Sequence, residues 1–458
     1  MKKDFALLFS VGLVAFITAS DIINLLVLSS FIWPGEGYHA FQMGLLISVR
    51  MLADSVSGLL WGWMADRYSR KRLFIFGGAF TSIIIFGNSL LPVGGGDPDF
   101  VIWFIFRLLL GIGLGSFGPV TNSLVPDLFE KHQRAAYYGR GTLIYSLFQI
   151  LGMIISANIF ILGFWRLYYI LTAGMYLYLI IHLISKFEEP KRGNKEKELQ
   201  KALEKDGAKY EYKISKETMK HVLFSRSNLL ILMEGIFTSL FFGIVDLVLI
   251  PYIQGPPRNI SPSVSSYLIL LFSVPATVLG SIYLAKFSDR KAKRNMKNRL
   301  YLIIFGLITR AVFVSIIFTI PIPSFSMEQG NSFAYIMQVP VIYMVGIVLF
   351  VSRLSFSIFN VNQTPIIQEL NLPETQGTMK SLNQLVEVLG YALGPIFAGI
   401  LISLFEGNYL ALAPFILFFS FPGICMWIIV LNSFERDRKV ISQILCERAE
   451  QIKHNCSV

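Results

Sequence analysis

Long apolar runs alternate with short polar breaks along most of the chain. They fall at approximately 5–32, 40–63, 72–92, 100–125, 137–160 and 165–186, then at 228–253, 263–285, 300–320, 335–359, 380–404 and 409–432. Each is about the 20 residues a helix needs to cross a hydrocarbon core. Inside lipid, backbone groups must be satisfied within the segment, so apolar runs of this length are read as helices. The pattern predicts an all-α membrane protein of twelve transmembrane helices in two six-helix pseudo-repeats. The predicted organisation is an N-terminal bundle over 1–186, a cytoplasmic linker over 187–227, a C-terminal bundle over 228–432 and a cytoplasmic tail over 433–458. The first run, from Phe5, is too long for the apolar core of a cleavable signal.

Charge orients these helices. Lys2 and Lys3, Arg67 to Arg72, Lys131, Arg134 and Arg140, Lys286 to Arg299, and Arg436, Arg438 and Lys439 fall on one side. The opposite loops 33–39, 93–99, 321–334 and 405–408 contain no Lys or Arg, and Arg166 and Arg258 break the rule. By the positive-inside bias both termini are expected in the cytoplasm, in a multi-pass protein of the cell membrane. The formal net charge of +11 therefore serves orientation, not nucleic-acid binding. Hydrophobic residues make up 54% of the chain, more than a soluble domain carries. Cys425 lies in an apolar run, and Cys446 and Cys456 in the tail, so no disulfide framework is implied. The five histidines, His39, His132, His182, His221 and His454, have no ligand spacing, and no nucleophile motif is present. No metal, cofactor or catalytic residue is expected. Between the halves, Asn194–Lys205 reads as a solvated helix, and Ser215–Phe224 as one lying at the membrane surface.

An ionisable residue within a span is expensive unless paired or hydrated, which makes each one a functional candidate. Asp21 in the first span and Arg107 in the fourth fall at similar depth, counted at about 1.5 Å per residue, and are expected to pair. Arg50 and Asp54, one turn apart on the second span, are expected to pair with each other in the same layer. The second half repeats part of this: Asp246 stands before Asp289 much as Asp21 stands before Asp66. Arg353-Leu354 matches Arg107-Leu108, so Asp246–Arg353 is a second expected pair. Arg353 is one turn closer to Glu369 than Arg107 is to Asp127. A structural bridge that only neutralises buried charge remains the alternative for each pair. Glu234 and Glu387, with Asn360, Asn362 and Gln363 before Pro365, are candidates for the substrate cavity. Arg310 sits mid-span, either in transport or facing an inner vestibule. Gly111, Gly113 and Gly115 form a small-residue face for close helix packing.

Two loops carry a family likeness. Gly62-Trp63-Met64-Ala65-Asp66-Arg67-Tyr68-Ser69-Arg70-Lys71-Arg72 reads as a tight turn between the second and third spans. A degenerate copy, Ala285-Lys286-Phe287-Ser288-Asp289-Arg290-Lys291-Ala292-Lys293-Arg294, sits at the matching place in the second half. The spacing resembles the signature loop of the major facilitator superfamily, with Ser69 where a second glycine is usual. That resemblance implies a cytoplasmic gate of Gly62, Asp66, Arg67, Arg70, Lys71 and Asp127, answered by Asp289, Arg290 and Glu369. Asp21, the Arg107 motif, Asp127-Leu128-Phe129 before Arg134, and Glu189-Pro190-Lys191-Arg192-Gly193 resemble the Spinster branch. Proton-linked movement of lysophospholipids and sphingosine-type lipids is what this second resemblance implies. Leu114 replaces a frequent glutamate of that branch, and Asp54 and Arg50 replace aromatic positions.

The expected protein is a secondary active transporter, monomeric, working by alternating access in the lipid bilayer. Asp21 and Arg107, with Asp54 and Arg50, would couple protons to a lipid-like or other small-molecule substrate, and the halves would rock about a central cavity. The alternatives are a proton-coupled exporter of drugs or small organic ions, and a non-transporting receptor or scaffold on the same fold.

Overall fold

Every regular element in the computed structural model, which describes residues 5–129, 131–190, 225–372 and 375–455, is a helix. Eleven helices among these residues are long and apolar enough to cross a membrane. Arg70–Asn88 supplies a further span, although Arg70, Lys71 and Arg72 dilute its apolar character. In order, the first half has spans at Phe5–Ile23 continued by Leu25–Ile32, Ala40–Arg67, Arg70–Asn88, Asp97–Leu114 continued by Phe117–Leu128, Lys131–Ile161 and Trp165–Lys186. The second half has Arg226–Gln254, Pro262–Arg294, Lys297–Ile317, Pro340–Glu369, Gln376–Leu404 and Tyr409–Asn455. The two linker helices read from sequence lie outside the described residues.

Several boundaries differ from the hydropathy reading, and the eighth span continues as helix through the second Asp-Arg stretch, read from sequence as a loop, to Arg294. The first run is broken at Asn24, whose amide nitrogen bonds the Ser20 carbonyl at 3.0 Å and Ser156 Oγ at 2.8 Å. The tenth span continues to Glu369, through Pro365, although its polar Asn360, Asn362 and Gln363 suggest an earlier end. Partners on neighbouring helices satisfy two of those amides, so polarity there marks packing and not a loop. The twelfth span runs unbroken into the tail, where Ile441 packs on Leu372.

Within the first half the first span packs on the fifth, the second on the fourth and the third on the sixth. In the second half the seventh packs on the eleventh and the eighth on the tenth, the equivalent pairings of the repeat. Across the halves the second span meets the eleventh, and the fifth meets the eighth. These two contacts exchange under the pseudo-repeat, as expected of two similar bundles facing each other.

The halves touch at the end opposite the basic loops. Gln254 Nε2 donates to the Ile23 carbonyl at 3.1 Å, and Asn158 Nδ2 to Tyr267 OH at 3.1 Å. Gly44 lies so close to the Pro395 carbonyl that any Cβ would collide with it. Only glycine permits that backbone approach. Gly44→Leu is expected to pry the second and eleventh spans apart. Spin labels at positions 162 and 327, on opposite halves at this end, should then report a longer distance than in the unsubstituted protein. An unchanged distance distribution would show that this contact does not hold the end closed.

Candidate functional site

Three spans of the first half deliver charge to one buried centre, and a fourth adds a tyrosine hydroxyl. Arg107 Nη1 donates to Asp21 Oδ1 at 2.5 Å, and Arg50 Nε lies 3.0 Å from Asp21 Oδ2. The second contact is a close ion pair whose angle is too bent for a hydrogen bond. All three side chains are almost sealed from solvent, none more than 4% exposed. Arg107 Nη2 also donates to Tyr169 OH at 3.2 Å, which pins the guanidinium from the sixth span. Gly111 packs directly on the Arg50 carbonyl and Ala53, which lets the helix carrying Arg107 approach the one carrying Arg50. The expected Arg50–Asp54 pair is not the one formed. Arg50 turns to Asp21, because that aspartate is the more buried and has no water to replace a partner. Asp54 is half-buried and joins no ion pair among the described residues.

In the second half, Asp246 pairs with the ninth span and not the tenth. Arg310 Nη2 lies 3.6 Å from Asp246 Oδ1, and Tyr391 OH donates to Oδ2 at 2.9 Å. The Arg310 guanidinium lies over the rings of Phe242 and Phe356, 4.1 and 4.4 Å from their centroids. Such contacts stabilise a cation with few hydrogen-bond partners. Arg353, the partner expected from the repeat, instead lies 5.7 Å from the Phe356 centroid. The one-turn offset along the tenth span shifts it in depth by about 6 Å relative to the position Arg107 holds in the first half.

The amides of the tenth span separate. Gln363 Nε2 donates to Glu387 Oε1 at 2.5 Å, joined by Asn383 Nδ2 at 2.7 Å. Asn362, expected in the cavity, is buried at the basic end. There its Oδ1 accepts from Ser288 Oγ and, at 3.2 Å, from Arg299 Nη1, while Arg299 Nη2 donates to Asp289 Oδ1 at 2.5 Å. Asn360 is exposed, and Glu234 is fully buried and lines no open surface.

The basic loop of the first half is an ion-pair knot. Ser69 has φ −61° and ψ 117°, ordinary extended backbone, and caps Arg70–Asn88 by accepting from the Arg72 N–H. A glycine is therefore not needed there. Arg70 is buried and pairs with Asp127; it also reaches Glu189 Oε1 at 3.2 Å and the Ser123 and Pro190 carbonyls at 2.8 and 2.9 Å. Ser69 Oγ donates to Glu189 Oε2 at 2.5 Å, as do the Arg70 and Lys71 backbone N–H groups to its two oxygens. Arg67 lies 4.0 Å over the Trp63 ring, and Gly62 rests against Pro119. The side chain of Asp66 lies outside the described residues. Glu369 accepts from Arg438 Nε at 2.7 Å, and Arg290 is exposed. Glu189, absent from the gate expected from sequence, is its hub.

Residues 8–352 match the Major Facilitator Superfamily. The chain belongs to that superfamily. It is thus an integral, multi-pass membrane transporter and not an enzyme. It is 28% identical over 151 residues to protein spinster homolog 1 of Homo sapiens, a match covering 33% of this chain and 28% of that protein. It is 32% identical over 91 residues to the sphingosine-1-phosphate transporter SPNS2 of Mus musculus, covering 20% and 16%. These matches span less than a third of either relative's length. In fold it is similar to a bacterial homolog of the human lysosomal transporter Spinster in an inward-facing, unoccupied conformation. That match has a TM-score of 0.66 at 14% identity and covers 95% of this chain and 97% of the other. A D-xylose–proton symporter is also similar, with a TM-score of 0.61 at 16% identity, covering 94% and 96%.

Depth counting paired Asp21 with Arg107, and the family resemblance placed Arg70 and Asp127 in one gate, but Glu189, Tyr169 and Tyr391 were not expected as site residues. Tyrosines in spans carry no charge signal, and Glu189 looked like part of a solvated linker. Two measurements follow for this transporter. Arg107→Ala leaves Asp21 half-neutralised in a dry site and is expected to cost about 3–5 kcal/mol, read as a loss of thermal stability in detergent. A change within the scatter of surface substitutions would show that Arg50 alone suffices. For Glu189, burial pushes the carboxyl up, but bonds from Ser69, the Arg70 and Lys71 amides and the Arg70 guanidinium outweigh it and hold the pKa below the usual value. Its stabilising contribution is complete above the unfolded glutamate value of about 4.3 and is lost as pH falls through the lower folded value. Melting temperature should therefore drop with acidification over that window, and Glu189→Gln should flatten the slope.

Proposed function

We propose that this transporter is proton-coupled and moves an amphipathic, lipid-like small molecule by alternating access, as a monomer with the basic end in the cytoplasm. The two units that rock are 1–186 and 228–432, tethered by 187–227, with the tail 433–458 extending the last helix. The observation that carries the reading is Asp21, held between Arg50 and Arg107 only two residues before the Ile23 carbonyl that Gln254 grips across the halves. Two guanidiniums balance the charge of the sealed carboxylate. Withdrawal of either arginine as the halves move would tip that balance towards proton uptake. A proton on Asp21 would in turn loosen the arginines and, through the break at Asn24, the far-end contact.

With the far end sealed, this arrangement corresponds to the inward-facing phase. The Arg70–Asp127–Glu189 knot then keeps the inner helix ends of the first half together as a unit. The lysolipid class is supported by the SPNS2 likeness. A second reading, export of drugs or small organic ions, is favoured by 30% identity over 109 residues to multidrug resistance protein 3 of Bacillus subtilis, covering 24% of this chain and 20% of that one.

The test is transport in proteoliposomes, with lysophospholipids and cationic drugs offered in parallel. Asp21→Asn is expected to abolish uptake driven by a pH gradient while sparing counterflow, and Asp54→Asn to retain gradient-driven uptake. Full pH dependence in the Asp21 variant, with loss in the Asp54 variant, would transfer the coupling role to Asp54.

A further inference from the structure

The seventh span carries a carboxyl that nothing in the first half explains. Glu234 is 0% exposed, and neither carboxyl oxygen makes a hydrogen bond of acceptable geometry among the described residues. Thr238 and Trp427 lie beside it, yet the fully buried Trp427 Nε1 is also without a well-formed bond. One residue on, the Cβ position of Gly235 lies 3.3 Å from Glu387 Cγ and 3.5 Å from Asn383 Oδ1. That amide oxygen is buried and has no donor, while Asn383 Nδ2 and Gln363 Nε2 both point at Glu387 Oε1.

The cations nearby are committed elsewhere. On the eleventh span Lys380 Nζ bonds Thr364 Oγ1 at 3.0 Å. On the twelfth, Arg438 holds Glu369, Arg436 holds Asp437, and Asp437 Oδ2 receives Ser227 Oγ at 2.6 Å. Further along the seventh span Asp246 is paired to Arg310, and on the first Asp21 is paired to Arg107 and Arg50. No ion pair involves Glu234 or Glu387 among the described residues. A bare carboxylate in such a place is strongly disfavoured and takes up a proton instead.

We propose that Glu234 and Glu387 form a proton-binding site of the second half, separate from the Asp21 centre. Glu234 carries the proton in the sealed interior. The half-buried Glu387, steadied by Gln363 and Asn383, is the route by which the proton arrives. A carboxyl O–H also gives the buried acceptor Asn383 Oδ1 the kind of partner it lacks. A hard metal cation would need several oxygens turned towards it, whereas two amide N–H groups are turned towards Glu387. The inference rests on transport by alternating access but not on coupling through Asp21.

The experiment is infrared difference spectroscopy of the full-length protein in nanodiscs, between acidic and alkaline sodium-free buffer. A protonated-carboxyl band that disappears on alkalinisation is expected. It should be lost in Glu234→Gln, shifted in Glu387→Gln and Asn383→Ala, and retained in Asp21→Asn. Tryptophan emission from Trp427 should titrate in parallel and lose its pH dependence in Glu234→Gln and in Trp427→Phe. Glutamine mimics the neutral acid, so Glu234→Gln should keep its melting temperature, and unfolding of this variant would overturn the proposal. So would persistence of the band in that variant, or its removal by sodium chloride but not choline chloride at constant pH. Loss of gradient-driven transport in Asp21→Asn with this band intact separates the two sites.

Discussion

Asp21 is the charge around which the first bundle is arranged. A carboxylate with almost no exposure is tolerable only where opposite charge is fixed close to it, and two guanidiniums from different spans provide that. The requirement reaches outward through the packing. The second and fourth spans must come close enough for both arginines to reach one aspartate, and Gly111 against the Arg50 carbonyl makes that approach possible. The sixth span must present Tyr169 to the remaining face of Arg107. A charge held by arginines from two other helices cannot change partners unless those helices move, and this links its pairing to conformation.

The second bundle meets the same physical demand in a different way. Asp246 is partly exposed, so water can share in its solvation, and its contact to Arg310 is looser. The arginine, being more deeply buried than its acid, is stabilised by aromatic faces as well. The two halves thus repeat in helix packing while diverging in electrostatics: one centre is cation-rich and sealed, the other joins a partly exposed acid to one arginine under aromatic rings.

At the two ends of the molecule different forces act. The far end closes by backbone contact at glycine and a few neutral hydrogen bonds, interactions that are short-ranged and easily exchanged. The basic end is tied by charge-assisted bonds among Arg70, Asp127 and Glu189, which hold loop to helix within one bundle. A rocking motion needs rigid bodies and a replaceable seam, and these bond types match the two roles.

The sequence by itself determined the membrane setting, the number of spans, their pairing into repeats and the identity of the buried charges. Hydropathy and the Asp-Arg loops are local in the chain, so they survive without a fold. Asp21 with Arg107 was also legible, because both could be placed in depth by counting residues from a loop. What only the tertiary structure decided was the direction in which each side chain points. Depth counting put Arg50 beside Asp54 and Asp246 beside Arg353, but the rotation of each helix turned Arg50 to Asp21 and gave Asp246 to Arg310. The same rotation turned Asn362 to Ser288 and Arg299 and left Glu234 sealed, with no ion pair among the described residues. Helix rotation is set by where small residues let backbones meet, a property of two helices at once that no single stretch of chain contains.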